Sequence, residues 1–440
     1  MKSFLKSILY FFLKDRMYIL LNKRRFYLYR GKMLRNAKKY NSSKNNIIES
    51  ISNKDKIKIL FFVYNLGMWK YDGLIRLLLN HPKFDPIIVP FAMPENRPNF
   101  NQYNQESIIN YCKDNNFPFI IGYDFCRDEY DNLKGFDPDI VVYTQPYNTG
   151  YEKWRIDRYS KNCLFIYTPY GLSVTKDRAL YDTYLCNIAW KIFVSSPMEK
   201  DVLYQSITNK INIVVTGAAL YDQLNKANVQ KSPWRNNRKK RVIWAPHHSM
   251  DSKYSFSSSN FERICSDMIA VAQKFQDTVE FAFKPHPILK ERLIEKWGKE
   301  RADSYYIRWE RMPNTMICLG DYTELFAFSD AMIHDCASFV GEYLYTNKPA
   351  IYIYKDKIPP ASVDNEFGIG CFNCHYRGHL IRDIEEFITN VVLNGEDVMK
   401  NKRTEFIKTQ LLPPNNLSTA ENMLKELEEL ISPKTTADGY

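Results

Sequence analysis

The chain has 440 residues, 45% of them hydrophobic and 15% aromatic, which supplies sizeable cores and excludes general disorder. Lys and Arg number 61 against 50 Asp and Glu, so the net charge of +11 predicts an anionic partner without choosing among nucleic acid, anionic lipid and phosphorylated substrate. No apolar run reaches the roughly 18 residues that a spanning helix needs.

The N-terminus reads as a basic amphipathic helix. At about 100° per residue, Phe4, Leu5, Ile8, Leu9, Phe11 and Phe12 share one face, opposite Lys2, Lys6 and Lys14. A second apolar cluster runs from Met17 to Leu21, and a polybasic stretch then runs from Lys23 to Lys39. This pattern suits the inner surface of an anionic membrane and lacks the small-residue cleavage site of a signal peptide. A helix packed on its own protein is the alternative. Residues 41–56 are mostly polar and read as a linker.

From Lys56 onward short apolar runs alternate with helical stretches. Strands are expected at 57–64, 86–91, 117–123, 139–144, 163–168, 191–195 and 211–216, with helices at 71–80 and 104–115. A polar, basic stretch ends at Arg241, and the alternation then restarts. Strands are expected at 242–245, 279–283, 331–333 and 350–354, and helices at 259–275, 288–300, 322–328 and 339–346. From about 378 the chain reads as helical, most clearly at 384–393 and 419–431. The expected class is α/β: two Rossmann-like domains in a GT-B-type arrangement, with a ligand in the cleft between them. The divisions are 1–55 (basic segment and linker), 56–222 (acceptor domain), 223–377 (nucleotide-donor domain) and 378–440 (helical C-terminal tail).

Chemistry-bearing residues gather where strands end. Lys284-Pro285-His286-Pro287 closes a buried run, and its two prolines fix the loop. His286 there could accept a proton from an attacking hydroxyl or steady a phosphate, with Lys284 beside it. Ala245-Pro246-His247-His248-Ser249 ends the first strand of the second half. Adjacent residues on an extended loop point in opposite directions, so His247 is the one expected to face the cleft, with Ser249 near phosphate. Asp335-Cys336-Ala337-Ser338 opens a helix, where Asp335 and Ser338 could meet phosphate. Glu342, one turn on, could accept from ribose hydroxyls, and Thr323 could cap its helix or reach the same cleft. On the acceptor side are Tyr170, Gly171 and, more weakly, Gly67.

Nine cysteines, an odd and scattered set, point to a reducing compartment. Cys371-Phe372-Asn373-Cys374-His375 has metal- or haem-like spacing but no second ligand pair, so it reads as ordinary thiols. No metal site is expected, and no obligatory cofactor; Mg²⁺ is allowed as a companion of the nucleotide.

The stretch from Ser329 to Phe339, followed by Asn347-Lys348-Pro349-Ala350-Ile351, resembles the CDP-glycerol glycerophosphotransferases of teichoic-acid and capsule synthesis, as does Lys284-Pro285-His286-Pro287. The resemblance spans roughly residues 160–360. It implies a catalytic or pyrophosphate-binding role for His286 and a phosphate contact for Ser338. The family's Trp-His-Gly is Pro169-Tyr170-Gly171 here, so a base histidine is missing at that position. An arginine expected after Ala245-Pro246 is also missing, and Asp-Tyr-Ser-Ser becomes Asp335-Cys336-Ala337-Ser338. The expected function is transfer of a glycerol-phosphate-type group from a CDP-alditol or similar activated donor to a lipid-linked or glycan acceptor. The setting is cytoplasmic, peripheral on the inner membrane face through residues 1–40, in bacterial cell-envelope polymer synthesis. A GT-B glycosyltransferase using a nucleotide-sugar is the nearest alternative, and a noncatalytic membrane or polyanion binder is the alternative of another class. The basic residues cluster without a recognition motif, so nucleic acid is not an expected partner.

Overall fold

In the computed structural model the described residues are 30–90, 98–124, 129–130, 137–145, 156, 162–176, 181–209, 212–227, 232–235, 238–250, 259–355 and 363–431. The amphipathic face at Phe4 to Lys14 and the cluster at Met17 to Leu21 lie outside them.

Two six-stranded parallel sheets dominate the molecule. The first contains β1 (Ile57–Val63), β2 (Phe84–Pro90), β3 (Ile140–Tyr143), β4 (Leu164–Tyr167), β5 (Lys191–Val194) and β6 (Ile213–Val215), in the order β2-β1-β3-β4-β5-β6. The second contains β7 (Lys240–Ala245), β8 (Val279–Phe283), β9 (Thr315–Ile317), β10 (Ala331–His334), β11 (Ala350–Ile353) and β12 (Tyr376–Gly378), ordered β9-β8-β7-β10-β11-β12. These strands are near-continuous apolar runs because helices cover both faces of a parallel sheet. Val279-Glu280-Phe281-Ala282-Phe283 is buried at every position, including Glu280.

The order reverses between β1 and β3 in the first sheet and between β7 and β10 in the second. At such a switch point the loops leaving the strands' carboxyl ends diverge and open a crevice. His247 follows β7 and Asp335 follows β10, so both sit at the second crevice.

Several expectations need correction. The segment 117–123 is not a strand: Phe119 makes one bridge to Ile88, and Tyr123–Asp124 pairs only with Glu129–Tyr130. Its backbone bonds to β2 stop after a single register step, from Ile88 N–H to Pro118 and from Ile120 N–H to Ile88. Short edge elements at Thr315–Ile317 and Tyr376–Gly378 were not expected. Nor was the helix Ala219–Ala227 in the stretch read as polar and basic, nor the separate helix Lys299–Arg311.

The supposed linker is also a helix. Residues 30–52 are helical, and Met33, Ala37, Tyr40, Ile47 and Ile51 are buried at spacings that keep them on one face. The Tyr40 hydroxyl donates to the Cys163 carbonyl at 2.8 Å, and Arg30 pairs with Asp182 at 2.5 Å. This part of the basic segment therefore packs on its own protein, leaving Lys32, Arg35, Lys38 and Lys39 exposed on the other face.

The residues after 378 are not a free tail. Ile384, Phe387 and Ile388 join the second core, while Ala420, Met423 and Leu427 of the helix Thr419–Glu428 join the first. The return is fixed by Asp222, whose carboxylate accepts from the Thr419 and Ala420 amides at 2.9 and 2.8 Å. Gly217 makes it sterically possible. Its φ is +92°, and a Cβ there would lie 2.8 Å from Thr419 Oγ1 and 2.9 Å from Pro413.

Gly217→Ala therefore combines left-handed strain with overpacking and should cost about 1–3 kcal/mol. A urea unfolding midpoint unchanged from wild type would overturn this account of the C-terminal return.

Candidate active site

One carboxylate braces the loop after β10 against the connection that leaves β7, and the loop after β8 is tied to the same connection by the His286 amide, which donates to the Pro246 carbonyl at 3.1 Å. Asp335 accepts from the His247 amide at 2.6 Å and the Asn260 amide at 2.5 Å, and is 3% exposed. Burial pushes its carboxyl up to about 7, against the pull of these backbone donors. The geometry makes Asp335 a brace rather than the phosphate ligand expected from sequence, because both oxygens face backbone. Ser249 is likewise interior, with Oγ 2.8 Å from His247 Nδ1. It orients the ring instead of facing a ligand.

His247, His248 and His286 come together. Their ring centroids are 4.3 Å (His247–His248), 4.9 Å (His247–His286) and 4.1 Å (His248–His286) apart. The expectation that only one of the adjacent pair would face the cleft fails because the chain bends at His248, so alternation does not apply. Sequence spacing does not show this cluster, since His286 arrives from a different strand.

Tautomers decide what this cluster can do. The Ile288 amide donates to His286 Nδ1 at 3.2 Å, and the Ser249 amide donates to His247 Nδ1 at 3.3 Å. A ring that accepts at Nδ1 carries its proton on Nε2 when neutral. Both histidines thus offer N–H donors, which suit an oxyanion. The ligand atoms of the three lie within 4.8 Å of one another, close enough to meet on a metal ion. Ligation through Nε2 would require the proton at Nδ1, against a backbone N–H.

Burial, reinforced by mutual repulsion, lowers His286 to about 2 and His247 to about 3; burial and the Arg292 charge lower His248 to about 4. Rings this reluctant to protonate are weak bases near neutral pH. A bound anion would raise these values and strengthen the donors.

The cleft continues toward the first domain. Lys284 is buried beside His286, and burial lowers its pKa. Its Nζ lies 5.6 Å from the Tyr322 ring centroid, and Lys70 Nζ lies 4.5 Å from the same ring. The Tyr322 hydroxyl donates to Glu342 Oε2 at 2.5 Å, while burial holds the Glu342 carboxyl above its ordinary range. Lys70, Tyr170, Gly171 and Glu342 line a cavity at the seam, with about 300 Å³ of space open to solvent. Glu342 therefore stands at the acceptor side of the seam, with one oxygen committed to Tyr322. Thr323 Oγ1 is taken by Asp321 at 3.0 Å and by Gln223 at 3.4 Å, which ties its helix to Ala219–Ala227. Ser338 is half-buried in the first turn of Ala337–Glu342, with Oγ 3.2 Å from Cys336 Sγ. Gly67 lies in the Leu66–Met68 turn, its amide donating to Asn65 at 2.7 Å, and is not among the cavity-lining residues.

Lys70 and Tyr322 were missed from sequence. The signal for Lys70 was its place in the first loop after β1, in a stretch weighed only for its glycine. Cys371, Cys374 and His375 prove to be core residues; His375 Nε2 donates to the Val340 carbonyl at 2.8 Å.

Residues 171–410 match the family described as CDP-Glycerol:Poly(glycerophosphate) glycerophosphotransferase. That is more than half of the chain, and the protein belongs to this family: it is a glycerophosphotransferase of the CDP-glycerol-dependent class. No curated protein sequence matches. Among solved structures, the wall teichoic acid polymerase TagF is similar with a TM-score of 0.53 at 11% identity, over 91% of this chain and 99% of that one. A UDP-GlcNAc 2-epimerase from Neisseria meningitidis bound to UDP-GlcNAc gives 0.53 at 13% identity, over 85% and 100%. S. aureus MnaA with UDP gives 0.52 at 12% identity, over 88% and 100%. At these identities the likeness shows the fold: GT-B-like, with two Rossmann-type domains.

Histidines held neutral make stability pH-dependent with a definite sign. Below about pH 6.5 the unfolded chain takes up protons that the folded rings refuse, so stability falls as pH drops toward the folded values near 4 and below. The melting temperature should decline from pH 6.5 to 4.5, and His286→Asn should decline less steeply. Parallel profiles for the two proteins would sink this reading.

Proposed function

We propose that the cleft binds CDP-glycerol with its pyrophosphate along the row His247, His286 and Lys284, and passes glycerol phosphate to the terminal hydroxyl of a poly(glycerophosphate) acceptor entering past Tyr170 and Gly171. The observation that carries this assignment is the pair of fixed Nε2–H donors beside Lys284, at the carboxyl ends of β7 and β8. The family match favours this reaction over nucleotide-sugar transfer.

The acceptor oxygen forms a bond to the β-phosphorus of CDP-glycerol. The bond from that phosphorus to the oxygen bridging the α-phosphorus breaks, and CMP leaves with the electron pair. The hydroxyl proton departs to solvent through the open cleft. The products are CMP and a new phosphodiester. Such a transition state is loose, so positioning and charge stabilisation do most of the work. Histidines poised as donors suit that demand better than histidines poised as bases. Of the two roles anticipated for His286 and His247, steadying the pyrophosphate is thus the one adopted. Ser338, partly exposed at the start of its helix, would meet the nucleotide phosphate. A Mg²⁺ accompanying the nucleotide would be held by its phosphates, with no dedicated protein cage.

The setting proposed is the inner membrane face, in synthesis of a teichoic-acid- or capsule-type polymer. The structurally similar TagF is a wall teichoic acid polymerase. Support within this chain is the exposed basic face of helix 30–52, with Lys32, Arg35, Lys38 and Lys39. No helix among the described residues is long and apolar enough to cross a membrane.

Two outcomes are expected. With CDP-[¹⁴C]glycerol and a glycerophosphate-primed acceptor, His286→Ala should reduce kcat by about 10²–10³-fold; activity within twofold of wild type rejects the donor role. Changing Lys32, Arg35, Lys38 and Lys39 together to Gln should weaken sedimentation with phosphatidylglycerol vesicles, at about 1 kcal/mol per charge close to the surface. Unchanged vesicle binding would remove this face from the account.

A further inference from the structure

Lys70 and Lys284 come from different domains, yet both are almost wholly buried, at 6% and 5% exposure. Both ammoniums face the ring of Tyr322, at 4.5 and 5.6 Å from its centroid. Among the described residues neither has a hydrogen-bond acceptor or an ion-pair partner. Two buried cations of the same sign without a counter-ion are strongly unfavourable unless a ligand supplies the charge. Glu342 and Asp321 act on these lysines only at a distance, without an ion pair: one Glu342 oxygen accepts from Tyr322, and Asp321 accepts from Tyr322 and Thr323. Among the described residues neither ammonium is thus in direct contact with a carboxylate.

We propose that Lys70 and Lys284 form one phosphate site shared by the two domains, and that it holds the β-phosphoryl group of the donor during transfer. The inference rests on the function proposed above and adds a residue from the acceptor domain to the reaction centre. The order of groups across the cleft supports it. His286 and Lys284 are two residues apart on one loop, and Lys70 lines the seam cavity with Gly171 and Glu342. A pyrophosphate along that row would have its α-phosphate by the imidazoles and its β-phosphate between the ammoniums. The acceptor hydroxyl would then approach beside Gly171. Tyr322 acts as the spacer: its ring faces both ammoniums, and Glu342 anchors its hydroxyl.

CMP lacks the β-phosphate, which gives the test. Binding of CMP and of CDP-glycerol is measured by calorimetry on the full chain, for wild type, Lys70→Gln and Lys70→Arg, alongside kcat and both KM values. The expected result is CMP affinity within about twofold of wild type in Lys70→Gln, CDP-glycerol affinity reduced by about tenfold or more, and kcat reduced by about 10²–10³-fold. Lys70→Arg should recover part of each loss. Equal CDP-glycerol affinity in Lys70→Gln and wild type overturns the proposal. So does a parallel loss for CMP with a lowered melting temperature, which marks a structural lysine. A loss confined to acceptor KM assigns the site to an acceptor phosphodiester and also overturns it. If wild type binds neither nucleotide, the proposed function fails, and this inference with it.

Discussion

The buried carboxylate of Asp335 is the interaction on which the site depends. It ends β10 and receives the amides of His247, after β7, and Asn260, at the start of the helix Phe261–Lys274. The connection leaving β7, held at both its ends, and the loop leaving β10 diverge at the switch point and are thereby tied together. A carboxylate stripped of water is tolerable only when backbone donors replace that water, and two do so here. The brace also explains why Asp335 does not reach the ligand. Any rotation toward the cleft would leave two backbone amides without their acceptor.

The two domains meet through a second set of backbone constraints. Asn365 donates to the carbonyls of Ser173 and Thr175 at 2.6 and 3.0 Å, and the Lys176 amide donates to Asp364 at 2.6 Å. A Cβ on Gly341 would lie 2.4 Å from Leu172, and one on Gly368 would lie 2.5 Å from the Val174 carbonyl. Helix and loop touch at backbone distance. From the first-domain side, Glu199 accepts from the Ser173 amide at 2.8 Å and from the Ser195 amide at 2.7 Å. The loop carrying Tyr170 and Gly171 is therefore gripped from both sides, and the acceptor side of the cleft keeps a fixed distance from Glu342.

Much of this was legible in sequence, for a physical reason. Parallel strands buried on both faces give uninterrupted apolar runs, so Val279–Phe283 and Ile57–Val63 could be placed within a residue. Edge strands of three residues, such as Thr315–Ile317 and Tyr376–Gly378, carry too little pattern to stand out. Helix 30–52 was hidden by its Asn, Ser and Lys content, although Met33, Ala37, Tyr40, Ile47 and Ile51 carry the period. The strand-end rule found His247, His286 and Asp335 but could not rank their roles. Those depend on which oxygen or nitrogen meets a backbone amide. Lys70 had only its place in the first loop after β1 to mark it, because its burial beside Tyr322, a residue of the other domain, is set by the tertiary fold.

The division of labour among the basic groups follows from the charge of the substrate and the products. A pyrophosphate arrives with its full negative charge, and bond breaking moves part of that charge onto the bridging oxygen that departs with CMP, so donors are needed at the leaving phosphate as well as cations at the transferred group. The leaving CMP must also depart. In the proposed row, neutral imidazole donors hold the leaving phosphate without the full attraction of an ammonium, so the gradient from imidazoles to lysines eases the release of CMP. Backbone amides at Nδ1 maintain that gradient, because they fix the donors without charging them. Replacing those amides by a carboxylate, as in a Ser-His-Asp arrangement, would raise the imidazole pKa and turn the same rings into bases. On the proposed assignment these rings stabilise a phosphate already activated by its nucleotide, and only weakly generate a nucleophile.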